Sequence, residues 1–276
     1  MTARPTARPF DTFIGVDFSG AVDGGRRTWI AVAEPRGGGL AVTALFPAMA
    51  LPDSGRRPEA FVPALADFLA GQRRALAGMD FPFGLPHSLV GAESWPAFVQ
   101  GFAARYPDAA ALRAACRRST GGRELKRRCD TEARTPFSAY NLRLYRQTWL
   151  GIAHLLAPLV ATGRVGVAPM LPAPEDGVLL AEACPASTLR RLGAAGTYKG
   201  RTPAARTQRR TLLNLFVKNG VQVTETAYET AVENRGGDAL DAVIAACALW
   251  QTALAAPDTL VSPRDDLDRL EARVFF

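Results

Sequence analysis

The sequence predicts an α/β protein in which a five-stranded mixed sheet is flanked by helices and a helical insertion lies between the fourth and fifth strands. Three observations carry this. Three apolar runs near the N-terminus follow one another at hairpin spacing, a helix-period segment separates them from a fourth run, and uneven, charge-rich helical patterning fills the chain from Pro86 until a fifth apolar run near residue 178.

In order, residues 12–18, 28–34 and 40–46 read as strands, with Gly24-Gly25 and Gly37-Gly38-Gly39 between them, which predicts a meander with hairpin connections. From 58 to 71, Phe61, Leu65, Phe68 and Leu69 recur at helical spacing behind Pro58, and Gly71 closes the segment. That helix leads to a fourth strand at 75–80. The connection is long enough for a crossover, so this strand is expected to run parallel to an earlier one. Helices are expected at 94–105, 108–118 and about 137–162, then a fifth strand at 178–184, a basic helix at 203–219 and a last helix from 238 to about 255. The expectation is one domain, with its core at about 12–86 and 176–256 and the insertion at about 90–165.

At 276 residues, 48% hydrophobic and 21% charged, the chain has the composition of an ordinary globular protein. Its formal charge of +7 favours an acidic partner such as nucleic acid. Cys116, Cys129, Cys184 and Cys247 lie far apart with only His87 and His154 as co-ligands, which argues against a zinc site or a disulfide framework. No secretory leader is apparent behind Met1. The longest apolar stretches, 150–162 and 239–256, are interrupted by polar residues or proline, so the expected setting is cytoplasmic, with no membrane.

Two near-identical phrases organise the chain, Gly15-Val16-Asp17-Phe18 and Gly78-Met79-Asp80-Phe81, each an apolar run ending in an aspartate before turn residues. Glu182 and Asp241 sit in similarly apolar surroundings, and Asp238 lies three residues before Asp241. By alternation, Asp17 shares a face with Phe13 and Gly15, Asp80 with Leu76 and Gly78, and Glu182 with Val178 and Leu180. Taken singly, each acid has a local use. Asp17 and Asp80 can open Asx turns, Glu182 can pair with Arg190 or Arg191, and Asp238 can cap the last helix. Asp241 has no capping role, and its burial calls for a cation or a paired donor. Taken together, converging carboxylates are the donors that Mg2+ or Mn2+ prefers, and such ions support phosphodiester hydrolysis.

The order Gly-Val-Asp-Phe-Ser-Gly-Ala, Met-Asp-Phe-Pro-Phe-Gly-Leu-Pro, Glu-Ala-Cys-Pro and Asp-Ala-Leu-Asp-Ala resembles domain-of-unknown-function family 429, whose members are expected to be nucleases of the RNase H-like fold. The resemblance spans about residues 12–255. It implies an RNase H-like core with Asp17 in the first strand, Asp80 at the fourth, Glu182 at the fifth and Asp238 and Asp241 on the last helix, the last two spaced like the acid pair of Holliday-junction resolvases. The expected function is therefore a metal-dependent nuclease with Asp17, Asp80, Glu182 and Asp241 catalytic, Asp238 joining them as a metal ligand, and Mg2+ or Mn2+ as cofactor.

Basic residues at 117–128 and 199–210, among them Arg127, Arg128, Lys199, Arg206 and Arg210, are candidates for contacts to nucleic-acid phosphates. A solvated surface explains such runs equally well. Tyr140 and Tyr198, close to these charges, can stack on bases, although aromatics more often belong to the core. The alternatives are an actin-like ATP-binding or phosphotransfer protein, with Asp17-Phe18-Ser19-Gly20 as its phosphate loop, and a non-catalytic nucleic-acid-binding protein. No Gly-x-x-x-x-Gly-Lys-[Ser/Thr] or Gly-x-Ser-x-Gly motif occurs, which removes P-loop and α/β-hydrolase readings.

Overall fold

The computed structural model of the chain describes residues 10–194 and 196–276. Strands β1 (Thr12–Asp17), β2 (Trp29–Arg36) and β3 (Gly39–Pro47) pair antiparallel in succession. Gly37 and Gly38 turn the second connection with φ of 57° and 79°, the left-handed pair whose twist suits a two-residue hairpin. The first connection is not the expected glycine hairpin. It is a short helix, α1 (Gly24–Arg27), whose glycines are buried: a Cβ on Gly25 would stand 2.0 Å from the Gly55 carbonyl.

Helix α2 (Pro58–Ala70) buries Phe61, Leu65 and Leu69 on one face of the sheet and returns the chain to β4 (Ala75–Met79), parallel to β1. Between β4 and the next strand the chain is helical: α3 (His87–Val90), α4 (Trp95–Arg105), α5 (Ala109–Ser119) and α6 (Arg128–Glu132). The helix expected over 137–162 starts later and is divided into α7 (Tyr145–Leu150), a π-helical stretch Gly151–Leu156 and α8 (Ala157–Ala161). Its predicted first two turns are a loop, because the Asn141 side chain accepts from the Arg143 amide and holds the chain in an Asx-type turn.

The chain continues through β5 (Val165–Val167), β6 (Val178–Ala183), α9 (Pro185–Arg191), α10 (Pro203–Lys218), β7 (Val221–Val223), α11 (Glu225–Glu233), α12 (Asp238–Ala255), α13 (Asp258–Val261), α14 (Asp266–Glu271) and β8 (Val274–Phe275). Among the described residues, the sheet has eight strands in the order β5-β6-β4-β1-β2-β3-β7, with β8 also on β6, and is mostly parallel and open. All five expected strands lie at its centre. The three additional ones are two or three residues long, too short for a strand period to register in sequence.

Each face of the sheet carries its own apolar layer. Ile14, Val16, Ala77 and Met79 pack with α2 and the inserted helices, whereas Phe13, Leu76 and Ala181 pack with α10, α11 and α12. Helix α12 is long and apolar enough to cross a membrane by length and composition, but every residue from Ala239 to Trp250 is buried within the protein. It lies directly on β1 at Gly15, where a Cβ would come within 1.9 Å of the Ala242 carbonyl, and on β4 at Gly78, where one would meet Leu249. The two Gly-x-Asp phrases thus have a packing reason. The glycine lets α12 approach, and the aspartate two residues later, on the same side of the strand, faces the start of that helix.

Candidate active site

β1 and β4 end side by side, and the Asp80 amide extends their ladder by donating to the Val16 carbonyl at 2.9 Å. Asp17 and Asp80 therefore stand at one sheet edge. Together with Asp238, Asp241, Tyr198 and Lys199, they line a cavity of about 490 Å³, whose opposite wall comes from the insertion through Asp130, Phe137, Arg143 and Gln147. Glu182 also reaches this cavity. All five sequence-predicted acids are thus drawn to one place, but not in equivalent roles.

Asp17, Asp80 and Asp241 act on one another. Burial, followed by the charge of Asp241, raises the Asp17 carboxyl well above the usual range, and the same two causes push Asp80 up to about 7. Burial raises Asp238 as well, against the pull of Lys199. The paired donors that Asp241 requires are present: Tyr198 Oη donates to Oδ1 at 2.7 Å and Lys199 Nζ lies 2.6 Å from Oδ2. Burial disfavours the Lys199 ammonium, but Asp241 and Asp17 more than offset this and hold it charged. Asp238 is not the helix cap; Gly237, at φ 82°, takes that position and Asp238 is the first helical residue.

Glu182 is set apart by register. Met79 pairs with Glu182 and Gly78 with Ala181, so Glu182 shares the Met79 side of the sheet, opposite the side to which Gly78 and Asp80 belong. There, Arg127 Nη1 donates to Oε2 at 2.7 Å, Nη2 to Oε1 at 2.5 Å, and the Phe83 amide adds a third bond at 2.9 Å. The same guanidinium grips Asp130 through Nε and Nη2, both at 2.9 Å. Burial lifts the Glu182 carboxyl despite this pairing; Asp130 is pushed up by burial too, but Arg127 holds it below its ordinary value.

The basic residues also part company. Arg127 is fully buried, which corrects its assignment to a phosphate-binding surface: a guanidinium enclosed between two carboxylates does not reach a bound chain. Arg128 is bound to Asp265 and Asp268, and Arg206 to Glu233. Lys199 is at the cavity rather than on a basic face, and Arg210 alone of the five is exposed without an ion pair among the described residues. Arg209, which also looks like surface charge in sequence, is buried and donates to the carbonyls of Val232, Tyr198 and Gly200. It braces the segment that delivers Tyr198 and Lys199 to Asp241. Neither Arg127 nor Arg209 carries a sequence signal that separates it from its exposed neighbours.

As donors, Asp17, Asp80, Asp238 and Asp241 fit a hard divalent cation: all are carboxylate oxygens, and they repel one another, with Lys199 countering from its place on Asp241 and Arg27 adding a smaller pull at Asp238. Glu182 does not fit, because Arg127 takes both its oxygens. Among the described residues, no group of three or more His, Cys, Asp or Glu side chains is assembled to hold a metal ion. Ion binding at these aspartates would have to compete with the Lys199–Asp241 pair.

No curated protein and no solved structure matches the chain. A family model described as "Protein of unknown function (DUF429)" covers residues 15–267, which take in the end of β1, the insertion, the Tyr198–Lys199 segment and all five acids, and the chain belongs to that family.

Proposed function

We propose that this protein is a nuclease that hydrolyses phosphodiester bonds of DNA or RNA at the Asp17–Asp80–Asp241 cavity, with Mg2+ or Mn2+ as cofactor. The observation that carries this reading is the convergence of four aspartates from β1, the end of β4 and α12 on one cavity, where burial and the charge of Asp241 raise the carboxyls of Asp17, Asp80 and Asp238. The central strand order β3-β2-β1-β4-β6, with β2 alone antiparallel to its neighbours, supports an RNase H-like core. Fold alone does not assign chemistry, so the weight rests on the cavity.

A divalent ion at such carboxylates supplies Lewis-acid activation of a phosphoryl oxygen and of the attacking water. Asp17, Asp80 and Asp241 would hold it, with Asp238 beside them at the start of α12. Lys199 pairs with Asp241, and Tyr198 fixes the rotation of its carboxylate. Asp80, whose carboxyl is pushed up to about 7 in the metal-free protein, would release its proton on taking up the ion. Arg127 and Glu182 tie the insertion to β6 and so keep the far wall of the cavity in place.

The phosphate-loop alternative has less support. The Ser19 amide donates to Thr28 Oγ1 and the Ala21 amide to Ser19 Oγ, so two donors of that loop are engaged within the protein. The reading is tested by incubating the purified chain with labelled single- and double-stranded DNA, RNA, hybrid and branched junctions in Mg2+ or Mn2+. Cleavage that Asp17→Asn abolishes is the expected result; no cleavage of any substrate by the unaltered chain overturns it.

A further inference from the structure

A polynucleotide that reaches this centre brings a phosphate towards Asp17, Asp80, Asp238 and Asp241, and a cation at the mouth is needed to offset the repulsion. Among the described residues, three cationic side chains line the cavity: Arg27, Arg143 and Lys199. Two already have carboxylate partners, Lys199 on Asp241 at 2.6 Å and Arg27 on Asp23 at 2.8 Å. Arg143 differs. Among the described residues its guanidinium has no hydrogen-bond or ion-pair partner, and it lies over the Phe137 ring with Cζ 5.3 Å from the centroid.

The loop that presents these two residues is held at several points. Asn141 Nδ2 and Ser138 Oγ both donate to Glu124 Oε2, at 2.6 and 3.2 Å; the Arg143 amide donates to Asn141 Oδ1 at 2.9 Å; and Thr148 Oγ1 donates to the Ala139 carbonyl at 2.7 Å. A guanidinium laid on an aromatic face over an anchored backbone has lost much of its rotamer freedom in advance, while its planar donors remain available. That is the form in which an arginine grips a phosphate through paired hydrogen bonds.

We propose that Arg143, supported by Phe137, is the phosphate-gripping residue of this site and positions a phosphodiester of a polynucleotide chain against the carboxylates. The assignment rests on the nuclease reading above and adds the residue, on the inserted subdomain, that recognises the substrate backbone. It predicts recognition of the backbone charge rather than of base identity, because a guanidinium on a phosphate reads no base edge.

The test measures binding of a fluorescently labelled 20-nucleotide single strand, as DNA and as RNA, by anisotropy across a salt series. Asp17→Asn serves as the non-cleaving parent, compared with the same protein carrying Arg143→Ala, Arg143→Lys or Lys218→Ala, the last an exposed cation remote from the cavity. Arg143→Ala is expected to weaken binding about tenfold at ~0.1 M salt and to reduce the slope of log K against log salt by about one. Arg143→Lys should restore the slope but not the full affinity, and Lys218→Ala should change neither. In the cleaving protein, Arg143→Ala should raise KM with kcat held within about threefold.

Unchanged affinity and slope in Arg143→Ala, while the parent binds, overturns this proposal and leaves the nuclease reading standing. Failure of the parent to bind any strand, together with no cleavage by the unaltered chain, overturns both. Adenosine monophosphate competing as strongly as the oligonucleotide would overturn the assignment to a phosphodiester, since it would place a terminal phosphate in the grip of Arg143.

Discussion

Arg127 closes both guanidinium nitrogens Nη1 and Nη2 onto the two oxygens of Glu182, at 2.7 and 2.5 Å, in the interior between the insertion and β6. This pair makes Glu182 a structural anchor for the cavity wall rather than a free carboxylate. Removing one member of a buried ion pair typically costs about 3–5 kcal/mol, because the other is left uncompensated. Arg127→Met is therefore expected to lower unfolding free energy by at least that order, since it strands buried Asp130 as well as Glu182, whereas the triple replacement Arg127→Met with Glu182→Leu and Asp130→Asn should recover most of it. Urea denaturation of the two proteins checks this; a single mutant as stable as the parent would show the pair to be energetically idle.

The raised carboxyls of Asp17 and Asp80 make a prediction with a definite sign. A carboxyl that holds its proton more tightly when folded binds more protons in the native state, so metal-free stability is greatest below the ordinary carboxyl range and falls as pH rises towards about 7. Asp80→Asn should flatten this fall and raise stability at pH 8 by ~1 kcal/mol, a figure reduced from the size of the shift because water on the cavity side screens the charge. Melting curves at pH 5 and pH 8 with chelator present measure it. Equal pH slopes in mutant and parent would rule out the raised Asp80.

Lys199 is the cation that most strongly counters the repelling aspartates. Replacing it with methionine should lower metal-free melting temperature, since Asp241 then faces Asp17 with only Tyr198 as partner. It should also enlarge the stabilisation on adding Mg2+, because the ion no longer competes with an ammonium. Ligand binding to the folded state alone gives about 2.7 kcal/mol at a hundredfold excess over Kd, so tighter binding appears as a larger melting shift. An unaltered Mg2+ response would separate Lys199 from the ion site.

Gly15 and Gly101 should respond in opposite directions to alanine. At Gly15 the new methyl group would lie 1.9 Å from the Ala242 carbonyl, forcing α12 off β1 and carrying Asp241 away from Asp17. A loss of about 3 kcal/mol or more is expected, together with the loss of any Mg2+ response. Gly101 lies within α4 with open space around its Cα, so alanine there should add about 0.5–1 kcal/mol through helix propensity. Thermal melts of the two variants decide between these signs.

The acids at strand ends are legible in the amino-acid sequence because alternation and turn residues are local properties. Asp17 and Asp80 follow the same Gly-x-Asp phrase, and both reach the same sheet edge. Asp238 and Asp241 are legible as neighbours on one helix face, and the apolar run around Asp241 marks it as the one that needs a partner, but the identity of that partner is not legible. Tyr198 stands out in sequence only as an aromatic beside basic charge, and nothing local announces that its hydroxyl reaches Asp241 across 43 positions.

By itself the sequence determined the five central strands, the helices α2, α4, α5, α10 and α12, and the set of carboxylates that gather at one cavity, because periodicity, caps and turn chemistry act over a few residues. Only the tertiary structure decided the faces and the partners. The β4–β6 pairing is a contact between segments about 100 residues apart, and its register puts Glu182 on the Met79 side, one residue out of step with Asp80. A strand's side-chain period is two, so that single step sends a carboxylate to the opposite face of the sheet, away from the aspartates and into the grip of Arg127.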